Sequence, residues 1–286
     1  MDMRFWLLQI FNGVSYGALL FLLGSGLSLI FGVMRIVNLA HGSFFLLGGY
    51  VALTVIWTTG SWLLAIPVAV LVIAALGMVM ERFFLRPLGG DHLRQVLLTF
   101  GFVLLFQQGA LDIWGGDNLT INPPRTLSHS LIVGSLYLPL YRVFIIGVAA
   151  VIGLVLWLAL DRTRAGATVR ATVDDAQMAR GIGIDTSRVS TLTFGLGALL
   201  AGLGGVIGGG FLGIYPGLGF EILPLAFAVV IIGGMGSLGG AAIGAVVVGL
   251  LDNFGKVLFP QAAYFTLYAP LVLLLAARPT GLFGRE

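Results

Sequence analysis

Seven stretches of 17 residues or more contain no Asp, Glu, Lys or Arg, and they restrict the fold more than any other feature. They are residues 5–34, 36–80, 95–111, 143–160, 189–220, 222–251 and 257–277. A helix needs about 20 apolar residues to cross the hydrocarbon core of a bilayer. The apolar residues run continuously, whereas the strands of a membrane barrel alternate polar and apolar positions. The pattern therefore predicts an all-α, polytopic helical membrane protein.

The composition excludes most other classes of protein. Apolar types make up 58% of the 286 residues and charged types only 9%, against roughly a quarter charged in ordinary soluble domains. Fifteen Lys and Arg with twelve Asp and Glu cannot cover a soluble surface of this size. We therefore exclude a soluble enzyme, a disordered chain and a nucleic-acid-binding protein. The chain has no Cys, so it has no disulfide framework and no thiolate metal site.

The charged residues indicate which segments face the cytoplasm. They are concentrated in residues 81–94 and 161–188, which we expect inside the cell because Arg and Lys are enriched in cytoplasmic loops. Residues 115–135 carry two prolines and a single Arg, so we expect them outside. Residues 36–80 must hold two helices, divided near residues 58–61. Residues 278–286 carry two Arg and are also expected inside.

In this arrangement residues 222–251 cannot be a plain span, because both of their ends must lie outside. Their centre is the run Gly233-Gly234-Met235-Gly236-Ser237-Leu238-Gly239-Gly240, and its glycines weaken a helix at the midpoint. We predict residues 222–235 and 238–251 to be two half-crossing arms of a broken, re-entrant element. Irregular backbone at that depth is tolerated only inside protein or beside a water-filled cavity. About eight transmembrane helices result.

A similar interruption lies in the front half. Residues 35–43, which include the polar Arg35, Asn38, His41 and Ser43, lie between two apolar helices. Interruptions at corresponding places in two halves are typical of transporters built from repeats, with the path at the breaks. On this interpretation the path is lined by Asn38, His41, Gly42, Gly233, Gly234, Gly236 and Ser237. The alternative is a cytoplasmic interfacial loop in which Asn38 or Ser43 caps the next helix.

The carboxylates that flank the apolar stretches indicate how transport would be driven. Asp112, Glu221 and Asp252 all fall at predicted helix ends, whereas ion-coupled carriers place ionisable groups at depth. The energy then comes from a partner protein, or the protein is a passive channel, since re-entrant elements also build selectivity filters. No P-loop, H-E-x-x-H or G-x-S-x-G motif occurs. We expect no catalytic residue, no metal and no cofactor in this chain.

Residues 161–188, here called the coupling segment, are a charged connection of 28 residues between two apolar stretches. Residues 165–184 combine helix formers with flanking glycines. This pattern predicts a short helix that docks on a cytoplasmic protein, or alternatively a helix lying at the membrane interface. In the next stretch, glycines such as Gly204 and Gly208 are spaced for close contact between helices.

Three stretches resemble the permease subunits of branched-chain amino acid-type ABC importers. Residues 26–50 (GLSLIFGVMRIVNLAHGSFFLLGGY) are similar to the family's N-x-A-H-G turn between two helices. Residues 170–205 are similar to its cytoplasmic coupling segment and glycine-rich helix, although Gln177 and Met178 stand where many relatives have an acidic residue and Ala. Residues 223–250 match its G-G-x-G-S-x-x-G-A break. The resemblance covers nearly the whole chain in order.

The resemblance implies a single transmembrane permease domain, residues 1–286, of the bacterial inner membrane. It would import branched-chain amino acids or related amides, urea or aromatic acids, and would do no covalent chemistry. The implied partners are a second homologous permease, two cytoplasmic ATPases that bind ATP and Mg, and a periplasmic solute-binding protein. The implied ATPase contacts in the coupling segment are Arg170, Ala171, Asp175, Ala179, Arg180, Gly183 and Ile184.

Overall fold

The computed structural model describes residues 3–134, 136–278 and 281–283, and this part of the chain is almost entirely helical. Its α-helices are α1 (Met3–Met34), α2 (His41–Thr59), α3 (Trp62–Met80), α4 (His92–Trp114), α5 (Leu140–Arg162), α6 (Arg164–Asp174), α7 (Ala176–Gly181), α8 (Thr186–Gly208), α9 (Leu218–Gly233), α10 (Leu238–Leu258) and α11 (Ala263–Ala277). One hairpin of strands, β1 (Ser130–Val133) and β2 (Leu136–Pro139), precedes α5.

Within these described ranges, seven helices are long and apolar enough to cross a membrane, and two shorter apolar helices, Leu218–Gly233 and Phe265–Ala277, accompany them. This architecture confirms the predicted all-α, polytopic membrane fold. The expected division of residues 36–80 is also confirmed, since α2 ends before Gly60 and α3 begins after Ser61. The Ser61 side chain caps α3 by accepting a hydrogen bond from the Leu64 backbone N–H.

Helices α1 and α8 form the centre of the bundle, because most residues of their apolar windows are buried while few residues of α4 and α5 are. Small residues permit this packing, as the glycine spacing predicts. A Cβ on Gly197 of α8 would lie 2.8 Å from the Gly26 carbonyl oxygen of α1. Gly204 and Gly208 of α8 face the ring of Phe45 in α2.

The segments predicted to share one side of the membrane contact each other in the structure. Leu119 and Ile214 exchange two backbone hydrogen bonds of 2.8 and 2.6 Å, so the predicted external segment is joined to the loop between α8 and α9. At the opposite end of α8, Arg86 donates a hydrogen bond of 2.9 Å to the Ser187 carbonyl oxygen. The two segments with the most charge therefore lie together at one end of the bundle.

The predicted re-entrant element corresponds to α9 and α10, but the two arms differ in length. Helix α9 has 16 residues, whereas α10 has 21 and continues beyond residue 251, so the predicted end of the second arm is wrong. The predicted arm stopped at the charged residue Asp252. The helix continues because the Asp252 carboxylate accepts a hydrogen bond of 2.7 Å from the Lys256 ammonium, one turn later on the same face.

Candidate functional site: two cavities on either side of an extended segment

Residues 35–40, here called the front break, return alongside α1 instead of leaving the bundle. Arg35 ends α1 in the left-handed region with φ of 53°, and residues 35–38 have no regular secondary structure. Helix α2 then begins at His41, whose Nε2 lies 2.9 Å from the Leu23 carbonyl oxygen. Leu23 precedes the end of α1 by 11 residues, about 16 Å along the axis. The start of α2 therefore lies beside the middle of α1.

Two backbone N–H groups of the front break donate hydrogen bonds that hold the segment in place. The Leu39 N–H donates to Thr99 Oγ1 of α4 at 3.3 Å, and the Ala40 N–H donates to Asn38 Oδ1 at 3.1 Å. The side chains of Asn38 and His41 are fully buried. Ala40 is the N-cap of α2 and no side chain caps that end. The prediction that Asn38 or Ser43 is the N-cap of α2 is therefore wrong.

Gly42 brings the start of α2 onto the start of α9. A Cβ at this position would overlap the Gly219 carbonyl oxygen and would lie 3.1 Å from Leu223 Cβ. Any larger residue must therefore push the two helices apart. The predicted path residue Gly42 is thus the contact point between the two interrupted elements.

The second interruption, residues 234–237, is here called the hairpin turn, and it lies near the end of α1. Gly236 has φ of 79° and faces Gly32, so a side chain here meets both backbone strain and α1. Ser237 caps α10 by accepting a hydrogen bond of 3.0 Å from the Gly240 N–H. Its carbonyl oxygen accepts one of 3.4 Å from the Ser28 hydroxyl. Both interruptions therefore contact α1, at different heights.

An apolar cavity of about 630 Å³ lies between α1, the front break, α4, α9 and α11. Its wall includes Leu27, Phe100, Leu223, Phe227 and Tyr268. Apolar walls with few polar groups are usual for sites that hold apolar ligand groups. The cavity therefore suits the hydrocarbon part of a solute.

A polar cavity of about 700 Å³ lies at the end of the bundle where the charged segments meet. It is bounded by Arg35 and by residues of the 81–95 region and of the coupling segment, among them Glu81, Gln95, Thr172 and Arg180. The coupling segment thus forms one wall of a cavity whose opposite wall belongs to the membrane helices.

Ile36 contributes to the walls of both cavities, and its residue is 3% exposed. The front break therefore separates an apolar space beside α9 from a polar space beside the coupling segment. None of the seven residues predicted to line a path is in the wall of either cavity: Asn38, His41, Gly42, Gly233, Gly234, Gly236 and Ser237. Asn38 and His41 instead fix the conformation of the front break through their hydrogen bonds. Ile36, which lines both cavities, is not among the residues predicted from the sequence.

A buried carboxylate links α3 to α8 beside the polar cavity. Glu81 is 1% exposed and lies in a π-helical turn, Glu81–Leu85, that follows α3. Its Oε2 accepts hydrogen bonds of 2.9 Å from Arg86 and 2.6 Å from the Thr191 hydroxyl of α8. Turns of this kind are frequent at functional sites.

The coupling segment contains two short helices in place of the single predicted one. Asp175 separates α6 from α7, because its Oδ1 accepts hydrogen bonds of 2.8 Å from the backbone N–H groups of both Gln177 and Met178. Arg170 lies 3.7 Å from Asp161, and the Arg180 Nε donates to Thr186 Oγ1 at 2.7 Å. Both arginines thus have partners within the chain.

The face of α7 that is available to another protein differs from the predicted one. Ala179 is 2% exposed and lies in the interior of the chain, so it is not accessible to a partner. Its neighbours Met178 and Ile182 are 65% and 70% exposed. Asp175 and Gly183 are also exposed, whereas Ala171 and Ile184 are half-buried.

Comparisons with known proteins agree with this architecture. The family described as "Branched-chain amino acid transport system / permease component" matches residues 9–277. The high-affinity branched-chain amino acid transport system permease protein LivH of Salmonella typhimurium is 31% identical over 299 residues, covering 98% of this chain and 96% of that protein. BraD of Pseudomonas aeruginosa, a permease protein with the same description, is 29% identical with the same coverage.

A second kind of relative is LivM of Salmonella typhimurium, another permease protein of a high-affinity branched-chain amino acid transport system. It is 29% identical over 286 residues, which cover 91% of this chain and 67% of that protein. No solved structure matches the chain. Since the family match spans residues 9–277 and the LivH alignment covers nearly all of both proteins, the chain belongs to the permease components of branched-chain amino acid transport systems.

Proposed function

We propose that this chain is the membrane subunit of an ATP-driven importer of α-amino acids with branched aliphatic side chains, in the bacterial inner membrane. The observation that carries the proposal is that the coupling segment and the front break bound the same polar cavity. Movement of a motor protein at the coupling segment can therefore alter the space into which a solute emerges. The names of the relatives LivH and BraD support the class of solute.

The path in this proposal runs from the apolar cavity, past Ile36, into the polar cavity. The apolar cavity takes the branched hydrocarbon group, for which burial is favourable by about 25 cal/mol per Å². The polar cavity takes the charged ends before release to the cytoplasm. The predicted path residues Gly234, Gly236 and Ser237 act in this scheme in the hairpin turn, and Gly233 acts at the adjoining end of α9, which lies along the apolar cavity.

A second permease completes the membrane part in this proposal. Salmonella typhimurium has both LivH and LivM, two different permease proteins of branched-chain amino acid transport, and this chain is similar to both. We therefore expect a homologous partner rather than a lone subunit. Two ATPases and a periplasmic solute-binding protein complete the importer, with ATP and Mg bound by the ATPases. Those partners follow from the family resemblance.

The proposed contact with the ATPase centres on Met178 and Ile182. Exposed apolar side chains that form a patch mark a contact with a protein or a membrane, and in this proposal the ATPase covers these two. Asp175 and Arg180, which are close to them in the chain, are exposed charged residues. The predicted contact at Ala179 is replaced in this proposal by these two neighbours, because Ala179 is buried within the chain.

Replacing Met178 and Ile182 together with Asp should separate the ATPase from the permease without unfolding the permease. Both side chains are exposed, so the substitutions should change the free energy of unfolding by about 0.5 kcal/mol or less each. Co-purification of the ATPase should fall about tenfold or more, as expected for a loss of two apolar anchors. The matched control is Met178→Leu with Ile182→Leu, which keeps the apolar surface. Full co-purification with the Asp variant would disprove this contact.

Reconstitution of the complete importer into liposomes tests the function itself. Uptake of radiolabelled L-leucine should require external binding protein, internal ATP and a hydrolysis-competent ATPase. Uptake of glucose under the same conditions serves as the negative control. Leucine flux through the permease alone, independent of ATP, would instead establish the passive channel.

A further inference from the structure

We propose that the backbone of residues 281–283, here called the tail segment, caps the end of α9 and ties it to α11, so that two walls of the apolar cavity move together during transport. The inference rests on the proposed function for the transport cycle, but not for the contact itself. It gives the residues that follow α11 a positioning role in transport. Four features of the structure support it.

The first feature is that the tail segment supplies hydrogen-bond donors to the end of α9. The last carbonyl groups of a helix have no partner within the helix. The Ile232 carbonyl oxygen accepts a hydrogen bond of 2.9 Å from the Leu282 N–H. The next carbonyl oxygen, that of Gly233, accepts one of 3.1 Å from the Phe283 N–H. The tail segment therefore satisfies two carbonyl groups that the helix itself leaves without a donor.

The second feature is the close fit of Gly281 against the same helix end. Its backbone has φ of 77°, a conformation that residues other than glycine rarely adopt. A Cβ at this position would lie 2.4 Å from the Ile231 carbonyl oxygen and 2.8 Å from the backbone of Gly234. Both neighbours are backbone atoms, so they cannot move aside by a change of rotamer. A glycine is therefore required where the tail segment meets α9.

The third feature is that the side chains of the tail segment are not enclosed. Leu282 is 37% exposed and Phe283 is 51% exposed, whereas Gly281 is buried. The contact therefore depends on the two backbone hydrogen bonds and on the glycine more than on apolar burial. Hydrogen bonds form only within a narrow range of distance and angle, so this contact sets the position of the tail segment on α9.

The fourth feature is the position of this contact beside the apolar cavity. Helix α9 contributes Ile231 to the cavity wall, and α11 contributes Tyr268 and Leu271. The Gly281 N–H donates a hydrogen bond of 3.0 Å to the carbonyl oxygen of Arg278, the C-cap of α11. The tail segment therefore connects the ends of two helices that line the same cavity.

The end of α9 also packs against α1 and α10, so the tail segment joins a larger unit. A Cβ on Gly233 would lie 2.3 Å from the Gly240 carbonyl oxygen of α10, and Gly236 in the hairpin turn faces Gly32 of α1. Elements packed this closely move as one body. Without the tail segment, α9 can stay in place while α11 moves, and a cycle of ATP hydrolysis then passes without moving a solute.

The amount of radiolabelled L-leucine transported per ATP hydrolysed, measured with the complete importer in liposomes, tests this role. Gly281→Ala should lower this ratio about threefold or more, the factor that corresponds to the loss of one hydrogen bond of ordinary strength. The matched control is Gly60→Ala, because Gly60 has φ of 69° and no atom within 4 Å of an added Cβ. This control has similar backbone strain without the contact and should keep the wild-type ratio.

A pair of substitutions at Phe283 separates the backbone from the side chain. Phe283→Ala removes the exposed ring but keeps the N–H, so it should keep the wild-type ratio. Phe283→Pro removes the ring and also the N–H that donates to Gly233, so it should lower the ratio about threefold. Equal ratios for these two variants would overturn the proposal. A fall of uptake and ATP hydrolysis in equal proportion would do the same, because it indicates only a loss of folded protein.

Hydrogen exchange of the C-terminal peptide, followed by mass spectrometry, tests the contact independently of transport. The backbone N–H groups of Leu282 and Phe283 should exchange slowly in the wild type and about tenfold faster in Gly281→Ala. Equally fast exchange in both proteins would show that the tail segment does not cap α9, which overturns the proposal. Absence of ATP-driven leucine uptake by the wild type would instead contradict the proposed function, and the exchange rates would still decide the contact.

Discussion

Replacement of Ile36 with Ala should allow leucine to cross the membrane without ATP. Ile36 lines both the apolar and the polar cavity, and truncation removes most of the side chain that the two cavities share. A buried Ile→Ala change also lowers the free energy of unfolding by about 2–5 kcal/mol. Leak and stability must therefore be measured on the same preparation, by tracer efflux from liposomes that contain the permease pair and by thermal denaturation.

Two further variants make the result specific to the shared wall. Val37→Ala removes a side chain of similar size from the same segment, but Val37 lines the apolar cavity only, so it should not leak. Ile36→Phe should narrow the connection and lower ATP-driven uptake about tenfold, while the leak stays at the background level. Equal efflux from the Ile36→Ala and Val37→Ala variants would show that the front break is not the barrier.

The sequence predicts the positions of the helices but not which residues line the cavities. Charge-free stretches located the apolar helices because a charge within the bilayer is costly, and Gly60 with Ser61 marked a turn that the structure confirms. The same rule ended α10 too early, because Asp252 is neutralised by Lys256 on the next turn. Charge alone does not distinguish a helix end from an ion pair inside a helix.

The cavity walls depend on contacts between residues far apart in the chain. Gln95 and Arg180 lie 85 positions apart, and no periodic pattern connects them. The family resemblance implied Ala179 as an ATPase contact, but the structure buries this residue within the chain. The side-chain cap of Asp175 starts a new helix and redirects the next turn. The sequence carries one signal for the buried ion pair beside the polar cavity: Glu81 directly follows the apolar α3, and Arg86 stands five residues later.

Replacement of Glu81 with Gln should uncouple ATP hydrolysis from transport. Glu81 joins the turn after α3 to Thr191 of α8, and Arg86 joins the same turn to the Ser187 carbonyl at the end of the coupling segment. The amide keeps the size of the side chain but has no negative charge, and its NH2 group cannot accept the hydrogen bond of 3.3 Å that Arg86 Nε donates to Oε1. Hydrogen bonds to a charged group contribute about 1.5–3 kcal/mol, so uptake should fall about tenfold while ATP hydrolysis continues.

The structural part of this effect is separable by a double-mutant cycle of Glu81→Gln with Arg86→Gln. The free energy of unfolding, measured by titration with dodecyl sulfate, should show a coupling of about 1–2 kcal/mol, below that of a fully buried pair because the Arg86 side chain is 36% exposed. The comparison is Arg94→Gln, which breaks an exposed pair with Asp91 and should change stability by less than about 1 kcal/mol. If Glu81→Gln lowered uptake and ATP hydrolysis in equal proportion, the link between α3 and α8 would serve stability alone.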